Sequence, residues 1–305
     1  MYNNIREIQP GKMDDIIVLI KSINTVTMKS GAPYQKVMVR DLDGNECTFT
    51  QFDVMLDIKL PMIAKVKVDC VEYGANLNMK IKECVEVEGY TMDQFLPKAH
   101  IDSKESWKYI AKIVKSVRNS LCRVVCAVLA EDKNKFLTLP MNPTGAFARQ
   151  SGILEATTKL VELAEHTAKL QNLDRDLLIS GAILYYIGNL DTIDEGYNMT
   201  PISLMYGAEV TSYTKVQFKA KELIENNEEA RADIRGEDIM LLSHVLMCKS
   251  DKNIPAIPEA SVLKYLDVML QETDQMTEAL RTAEPNTIVN DANRPNRWLY
   301  KPIEA

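Results

Sequence analysis

Residues 173–189, LDRDLLISGAILYYIGN, carry the reading of the fold. Acidic residues open the stretch, apolar and small residues follow, and Tyr185 and Tyr186 stand near its end. Apolar residues recur at helical spacing on both sides of it. They do so in ILEATTKLVELAEHTAKL (153–170), PISLMYGAEVTSYTKVQFKAKELI (201–224), GEDIMLLSHVLM (236–247) and PEASVLKYLDVMLQETDQMTEAL (258–280). The chain from about 151 to 283 is therefore expected to be all-helical.

Further upstream, SKESWKYIAKIVKSVR (103–118) places Trp107, Ile110, Val114 and Val117 on one helical face. Lys104, Lys108, Lys112, Lys115 and Arg118 fall on the opposite face. Ser103, with Ser106 one turn on, is the expected helix start. Before this helix the period changes from 3.6 to 2. IIVLIKSINTVTM (16–28) is rich in β-branched residues, and KSGAPY (29–34) supplies turn chemistry. QKVMVRDLDGNECTFTQFD (35–53) reads as two strands around Asp43-Gly44, a strong hairpin signal. IAKVKVDCVEY (63–73) and LNMKIKECVEVEG (77–89) alternate apolar and polar residues around the turn GAN (74–76). Five strands with turns at regular spacing predict a small closed barrel of the OB type.

The expected fold class is thus α+β multidomain: an N-terminal β-barrel followed by an all-α domain. The boundaries drawn are a barrel over 1–95, linker helices over 96–145, a helical domain over 146–285 and an extended tail over 286–305. The tail, with NRPNRWLYKP (293–302), offers a segment for docking on a neighbouring subunit, so a homo-oligomer is one expectation.

Composition narrows the function classes. The 305 residues are 46 % hydrophobic and 26 % charged, an ordinary globular balance. No apolar run approaches the roughly 20 residues needed to cross a bilayer, so no membrane partner is expected. The N-terminus lacks a basic region followed by an apolar stretch, which leads to the expectation of a cytoplasmic protein. Cys47, Cys70, Cys84, Cys122, Cys126 and Cys248 form no CxxC pair and lie at no zinc-ligand spacing, so they read as reduced thiols. The net charge of −7 argues against attraction to nucleic acid by bulk electrostatics, though not against a local basic groove. The three histidines are His100, His166 and His244.

A barrel followed by this helical series resembles the YhaM-type 3′–5′ exoribonucleases, which join an OB domain to an HD-superfamily domain. The resemblance runs nearly end to end. DIIVLIKSINTVTMKSGAPYQKVMVRDLDGN is similar to the family's opening strands. SGILEATTKLVELAE resembles its G-G-L-x-x-H-T helix, and LDRDLLISGAILYYIGN its D-x-D-L-L-x-x-G-x-L-L-H-D-x-G-K segment. LLSHVLMCKSD resembles L-x-H-x-I-L-S-H-H-G, PEASVLKYLDVML resembles E-A-x-x-L-H-Y-x-D-x-L-D, and NRWLYKP resembles a tail of N-R-x-F-Y-K-P type.

The resemblance implies a site for two divalent metals held by histidines and aspartates, which lower the pKa of a bridging water for attack on a phosphodiester. This chain departs from that pattern at almost every ligand. Ala156 stands at the first histidine, Tyr185-Tyr186 at the His-Asp doublet and Asn189 at the lysine after it. Lys249 and Ser250 replace the two histidines of S-H-H-G, and Lys264 the histidine before the late tyrosine. Ala146-Phe147 replaces an upstream pair, and a further histidine falls near Gly207. Only Asp267 keeps a ligand identity. His166 lies ten residues past Ala156, about 15 Å along a helix, too far to substitute. His244 reads as a hydrogen-bonded core residue. Asp191, Asp194 and Glu195 are expected on a solvated loop. No metal and no cofactor are expected.

Two readings of the replaced positions follow. The tyrosines fill the vacated cavity, or Tyr186, Lys249 and Lys264 bind a phosphate-bearing ligand without cleaving it. In the N-terminal domain, Tyr34, Phe52 and Tyr73, with Lys36, Arg40, Lys65, Lys67 and Lys80, are candidates for stacking and backbone contact with single strands. Phe49 lies three residues from Phe52, on the opposite face of a strand. Residues 13–92 hold nine basic and twelve acidic residues, a poor electrostatic funnel. The stripe of Lys104, Lys108, Lys112, Lys115 and Arg118 is the best basic surface in the chain, with Lys104, Lys108 and Lys112 the candidates for nucleic-acid contact.

The functional expectation is a catalytically inactive protein that acts by binding, to single-stranded RNA or DNA or to a protein partner, and so modulates a nuclease or defence system. The alternatives are an active metal-dependent exoribonuclease and a protein that sequesters a nucleotide in the metal-free pocket.

Overall fold

A computed structural model describes residues 1–28, 30–52, 55–73, 76–194, 196–281, 283–291 and 294–303; for Tyr73, Asn76, Arg294 and Pro295 it describes the backbone. The chain is α+β and divides into two compact units, Met1–Lys98 with Asp194–Asn198, and Ala99–Ile193 with Met199–Ala305.

The first unit is a five-stranded antiparallel sheet. Its strands are β1 (Asp14–Thr27), β2 (Pro33–Arg40), β3 (Glu46–Gln51), β4 (Met62–Tyr73) and β5 (Asn76–Glu86), in the order β3-β2-β1-β4-β5. β1 is long enough to serve two partners. It pairs with β4 over Asp14–Ile20 and with β2 over Leu19–Thr27, and its register with β2 shifts between Ile20 and Ser22. An irregularity there bends the strand so that both pairings hold. Alternation then sorts the side chains. Val18, Ile20, Val37, Val39, Phe49, Val66 and Val68 are fully buried, while Lys36 and Met38 face outward. Gly44 turns the chain between β2 and β3 at φ +82°, and a Cβ there would meet Pro97 at 2.5 Å, so glycine is required twice over. The turn expected at Gly74-Ala75 lies outside the described residues.

The expected closed barrel is an open sheet here, because no strand ladder joins its β3 and β5 edges among the described residues. β3 is six residues long, and at its end the buried Gln51 takes the place of a ladder. Its amide donates to the Ile81 carbonyl and accepts from the Ile81 N–H, both at 2.7 Å.

The second unit is helical. It comprises α1 (Ser103–Val114), α2 (Asn119–Glu131), α3 (Lys133–Thr138), α4 (Gly152–Gln171), α5 (Arg175–Leu184), α6 (Pro201–Met205), α7 (Gly207–Asn226), α8 (Glu228–Asp233), α9 (Gly236–Met247) and α10 (Pro258–Arg281). Every residue of α5 from Leu177 to Leu184 is buried, which explains its lack of a polar face. α1, α2 and α3, from the segment read as linker, contribute Ile110, Val114, Leu121, Val124, Val125 and Phe136 to the same core.

Three local expectations are corrected. The N-cap of α1 is Asp102, which accepts from the N–H groups of Lys104 and Glu105, and not Ser103. The stretch 201–224 forms two helices, because Gly207 adopts φ +75° and the chain turns there. Arg118 does not belong to a solvated stripe. Its guanidinium pairs with Asp174 and with the buried Asp238, both at 2.8 Å.

The C-terminal segment is a hairpin of β6 (Thr287–Asp291) and β7 (Arg294–Lys301), with Ile288 opposite Tyr300 and Val289 opposite Leu299. Leu299 is buried, and Arg297 pairs with Asp291 at 2.6 Å and with Glu272 on α10 at 2.5 Å. No helix of the described residues is long and apolar enough to cross a membrane.

Candidate functional site

Of the positions singled out in the sequence, Tyr185, Tyr186, Asn189, Lys249 and Asp267 come together in the helical unit. Ala156 is fully buried in α4. Asp174 accepts from the Leu177 N–H and so starts α5, whose far end delivers Tyr185 and Tyr186 into the core at 1 % and 0 % exposure. Their rings meet edge to face, with centroids 5.6 Å apart. The 3-10 turn Ile187–Asp191 then buries Asn189, whose amide donates to the Met141 carbonyl at 2.8 Å.

Asp267, on α10, is buried as well, and its carboxylate is already engaged. Oδ1 accepts from the Tyr186 hydroxyl at 2.5 Å and from the Gln271 amide at 2.8 Å. Just after α9, the Lys249 ammonium lies 4.6 Å from the Tyr186 ring centroid and 5.3 Å from that of Tyr185. It donates to the Tyr185 carbonyl at 3.2 Å and to Asn189 Oδ1 at 3.1 Å. Lys264 differs: its ammonium is held by Asp251 at 2.7 Å, and among the described residues no hydrogen bond or ion pair joins it to this group.

The electrostatics keep both tyrosines neutral. Burial, reinforced by the Asp267 charge, pushes both tyrosine hydroxyls well above their usual range, so neither is an available base. Burial lowers the Lys249 pKa, partly offset by Asp267 and Glu209. The hydroxyls of Tyr185 and Ser250 are buried without a hydrogen-bond partner.

These residues do not fit the two-metal centre that the resemblance implies. Among the described residues no group of three or more His, Cys, Asp or Glu side chains is arranged to hold a metal ion. His166 is exposed, with Nδ1 against the Glu162 carbonyl, and His244 Nε2 accepts from the Ala256 N–H. Asp191 pairs with Lys215 at 3.0 Å, Asp194 accepts from Asn198, and Glu195 lies outside the described residues.

Sequence reasoning missed a buried charge cluster in the same unit. Arg149 Nε and one terminal nitrogen each donate to Glu155 at 2.8 Å, and that terminal nitrogen also reaches Asp274 at 2.5 Å. Burial opposes ionisation of Glu155, but Arg149 and Lys159 outweigh it and hold its pKa at about 2. Asp274 also accepts from the Phe147 N–H, fixing the loop ahead of α4. The one signal for this cluster was a glutamate inside the apolar first turn of α4.

In the sheet unit, three of the candidates form one outward cluster. Tyr34 and Phe52, at the end of the β2–β3 pairing, stack with centroids 5.4 Å apart and planes inclined by 21°. The Lys80 ammonium, from β5, lies over the Phe52 ring at 5.4 Å. Lys36 is exposed on β2 two residues from Tyr34, and Phe49 is core.

The other candidates separate from this cluster. Arg40 is 3 % exposed and paired with Glu46 at 2.6 Å, so it is not a surface cation. Lys65 and Lys67 lie toward the other end of the β4–β5 pairing, bound to Asp15 at 2.7 Å and Glu83 at 3.2 Å. The Tyr73 side chain lies outside the described residues. Lys104, Lys108 and Lys112 are exposed along α1, with Lys108 paired to Glu105 at 2.6 Å. No family model matches the chain, and no solved structure matches it.

Proposed function

We propose that this protein is a catalytically inactive relative of the YhaM-type exoribonucleases that binds single-stranded nucleic acid through its N-terminal sheet. The observation that carries the reading is the cluster of Tyr34, Phe52 and Lys80. Base–aromatic stacking contributes about 1–3 kcal/mol per base and tolerates any sequence, because every base has a π-face. Tyr34 offers a ring to a base, while Lys80 and Lys36 supply charge for the flanking phosphates. The strand order β3-β2-β1-β4-β5, with Gln51 linking the β3 and β5 edges, is compatible with an OB-like sheet, and the cluster at the end of the β2–β3 pairing supports that reading.

The inactive half of the reading rests on the side chains at the ligand positions. Phosphodiester attack of the kind implied needs a water made acidic by metal. The remaining carboxylate, Asp267, is occupied by Tyr186 and Gln271, with Lys249 packed against the same rings.

The test is fluorescence anisotropy with labelled oligo-dT and oligo-U. Tyr34→Ala is expected to weaken binding by about tenfold, the loss of one stacked base, and Phe52→Ala by a similar factor because it removes the ring on which Tyr34 and Lys80 rest. Undiminished binding in both variants would reject the sheet face as the site.

A further inference from the structure

The helical unit holds a cavity of about 390 Å³, lined among others by Met141, Met199, Ser203, Lys249, Asn189 and Gln271. Its lining includes one charged side chain, Lys249, and no aspartate or glutamate. The ammonium has three protons to donate. Two go to neutral acceptors, the Tyr185 carbonyl and Asn189 Oδ1. Among the described residues no carboxylate lies within ion-pair distance of it: Asp267 is engaged by Tyr186 and Gln271, whereas Lys264 has Asp251. Every lysine of α7 that lies in or near the core has such a partner, Lys215 with Asp132 and Asp191, and Lys219 with Glu131 and Glu222. A cation in such surroundings without a directly paired carboxylate is costly to retain for stability alone.

The neighbouring groups are donors. Gln271 directs one amide proton at Asp267 and keeps the second, and the Ser203 hydroxyl makes no hydrogen bond among the described residues. The volume falls in the range of small-molecule sites, roughly 300–1,000 Å³, and exceeds what an inorganic ion fills. Met141 and Met199 contribute polarisable apolar surface to its lining, against which a ring can pack.

We propose that this cavity binds a phosphate monoester of mononucleotide size, with Lys249 as counter-charge and Gln271 and Ser203 as further donors, and with no metal ion taking part. The site lies wholly within the helical unit and shares no residue with the sheet face, so either reading stands or falls alone.

The experiment is a titration of the full-length protein in EDTA with inorganic phosphate, adenosine 5′-monophosphate and adenosine, read by calorimetry and by thermal unfolding. Phosphate and the monophosphate are expected to bind saturably and raise the Tm, the monophosphate more strongly, while adenosine does neither. Lys249→Met is expected to weaken the monophosphate by about tenfold or more, the loss of a charge-assisted contact, while Lys264→Met retains it. Since Lys249→Met also alters a buried position, Met199→Trp provides a second arm: it fills the cavity with Lys249 intact and is expected to abolish binding. Binding that survives in Lys249→Met or Met199→Trp would overturn the assignment. So would adenosine binding as tightly as its monophosphate, or no saturable binding of either anion up to about 10 mM.

Discussion

The Tyr186 hydroxyl donates to Oδ1 of Asp267 at 2.5 Å, and both side chains are buried. A tyrosine at the end of α5 thus occupies the carboxylate of α10, placing a packed hydrogen-bonded pair in the core of the helical unit.

That pair has a measurable stability. Tyr186→Phe keeps the ring and leaves Asp267 with Gln271 alone, so a loss of about 1–3 kcal/mol is expected in urea unfolding. Tyr186→Ala also opens a cavity and is expected to cost about 3–5 kcal/mol. A Tyr186→Phe variant as stable as the parent would show that the hydroxyl contributes nothing.

Acid sensitivity should trace to Glu155. Its folded pKa, about 2, lies below its ordinary value of 4.5, so its contribution to stability is complete above about 4.5. That contribution is lost as pH falls from there through about 2. Glu155→Gln is expected to flatten the urea midpoint over this window, leaving the acid sensitivity that belongs to Asp238, which Arg235 and Arg118 hold low against its burial. An unchanged slope between pH 5 and pH 2.5, roughly, would remove Glu155 from the account.

Salt dependence should be shallow for single-strand binding. Two cations, Lys36 and Lys80, flank the aromatic pair, and each neutralised phosphate adds about −0.7 to the slope of log K against log salt for a single strand. A slope near −1.4 is expected, with no change in Lys108→Glu/Lys112→Glu. A much steeper slope that falls in that double variant would move the site to α1.

Much of the fold was legible because its signals are local. Val37 and Val39 alternate with Lys36 and Met38, Asp43-Gly44 turns the chain, and α4, α5, α9 and α10 follow their apolar periodicity. What stayed hidden depends on partners distant in sequence. Arg40 is removed from the surface by Glu46 and Arg118 by Asp174 and Asp238, while Lys65 and Lys67 meet Asp15 and Glu83 only through strand register. The split of 201–224 turned on one backbone angle, at Gly207. In the site, the grouping of Tyr185, Tyr186, Lys249 and Asp267 was legible from the resemblance, but the hydrogen bond between Tyr186 and Asp267 was not. Nor was the pairing of Lys264 with Asp251, which draws it away from the group.

Metal content offers an independent check. Asp267 is the one residue that matches a ligand of the family the sequence resembles, and its Oδ1 is already engaged. Elemental analysis of the dialysed protein is expected to find no stoichiometric manganese, iron, zinc or magnesium. One or two tightly held ions per chain would contradict the account of the helical unit.

The most direct test places a 5′-labelled single-stranded RNA, and the matching DNA, with excess protein in manganese or magnesium and resolves the products by length. The account predicts a bound oligonucleotide of undiminished length. It also predicts that Tyr34→Ala and Phe52→Ala each weaken that binding by about tenfold. Stepwise shortening from the 3′ end that disappears in Asp267→Ala would contradict it, because the metal-dependent chemistry would then still be at work.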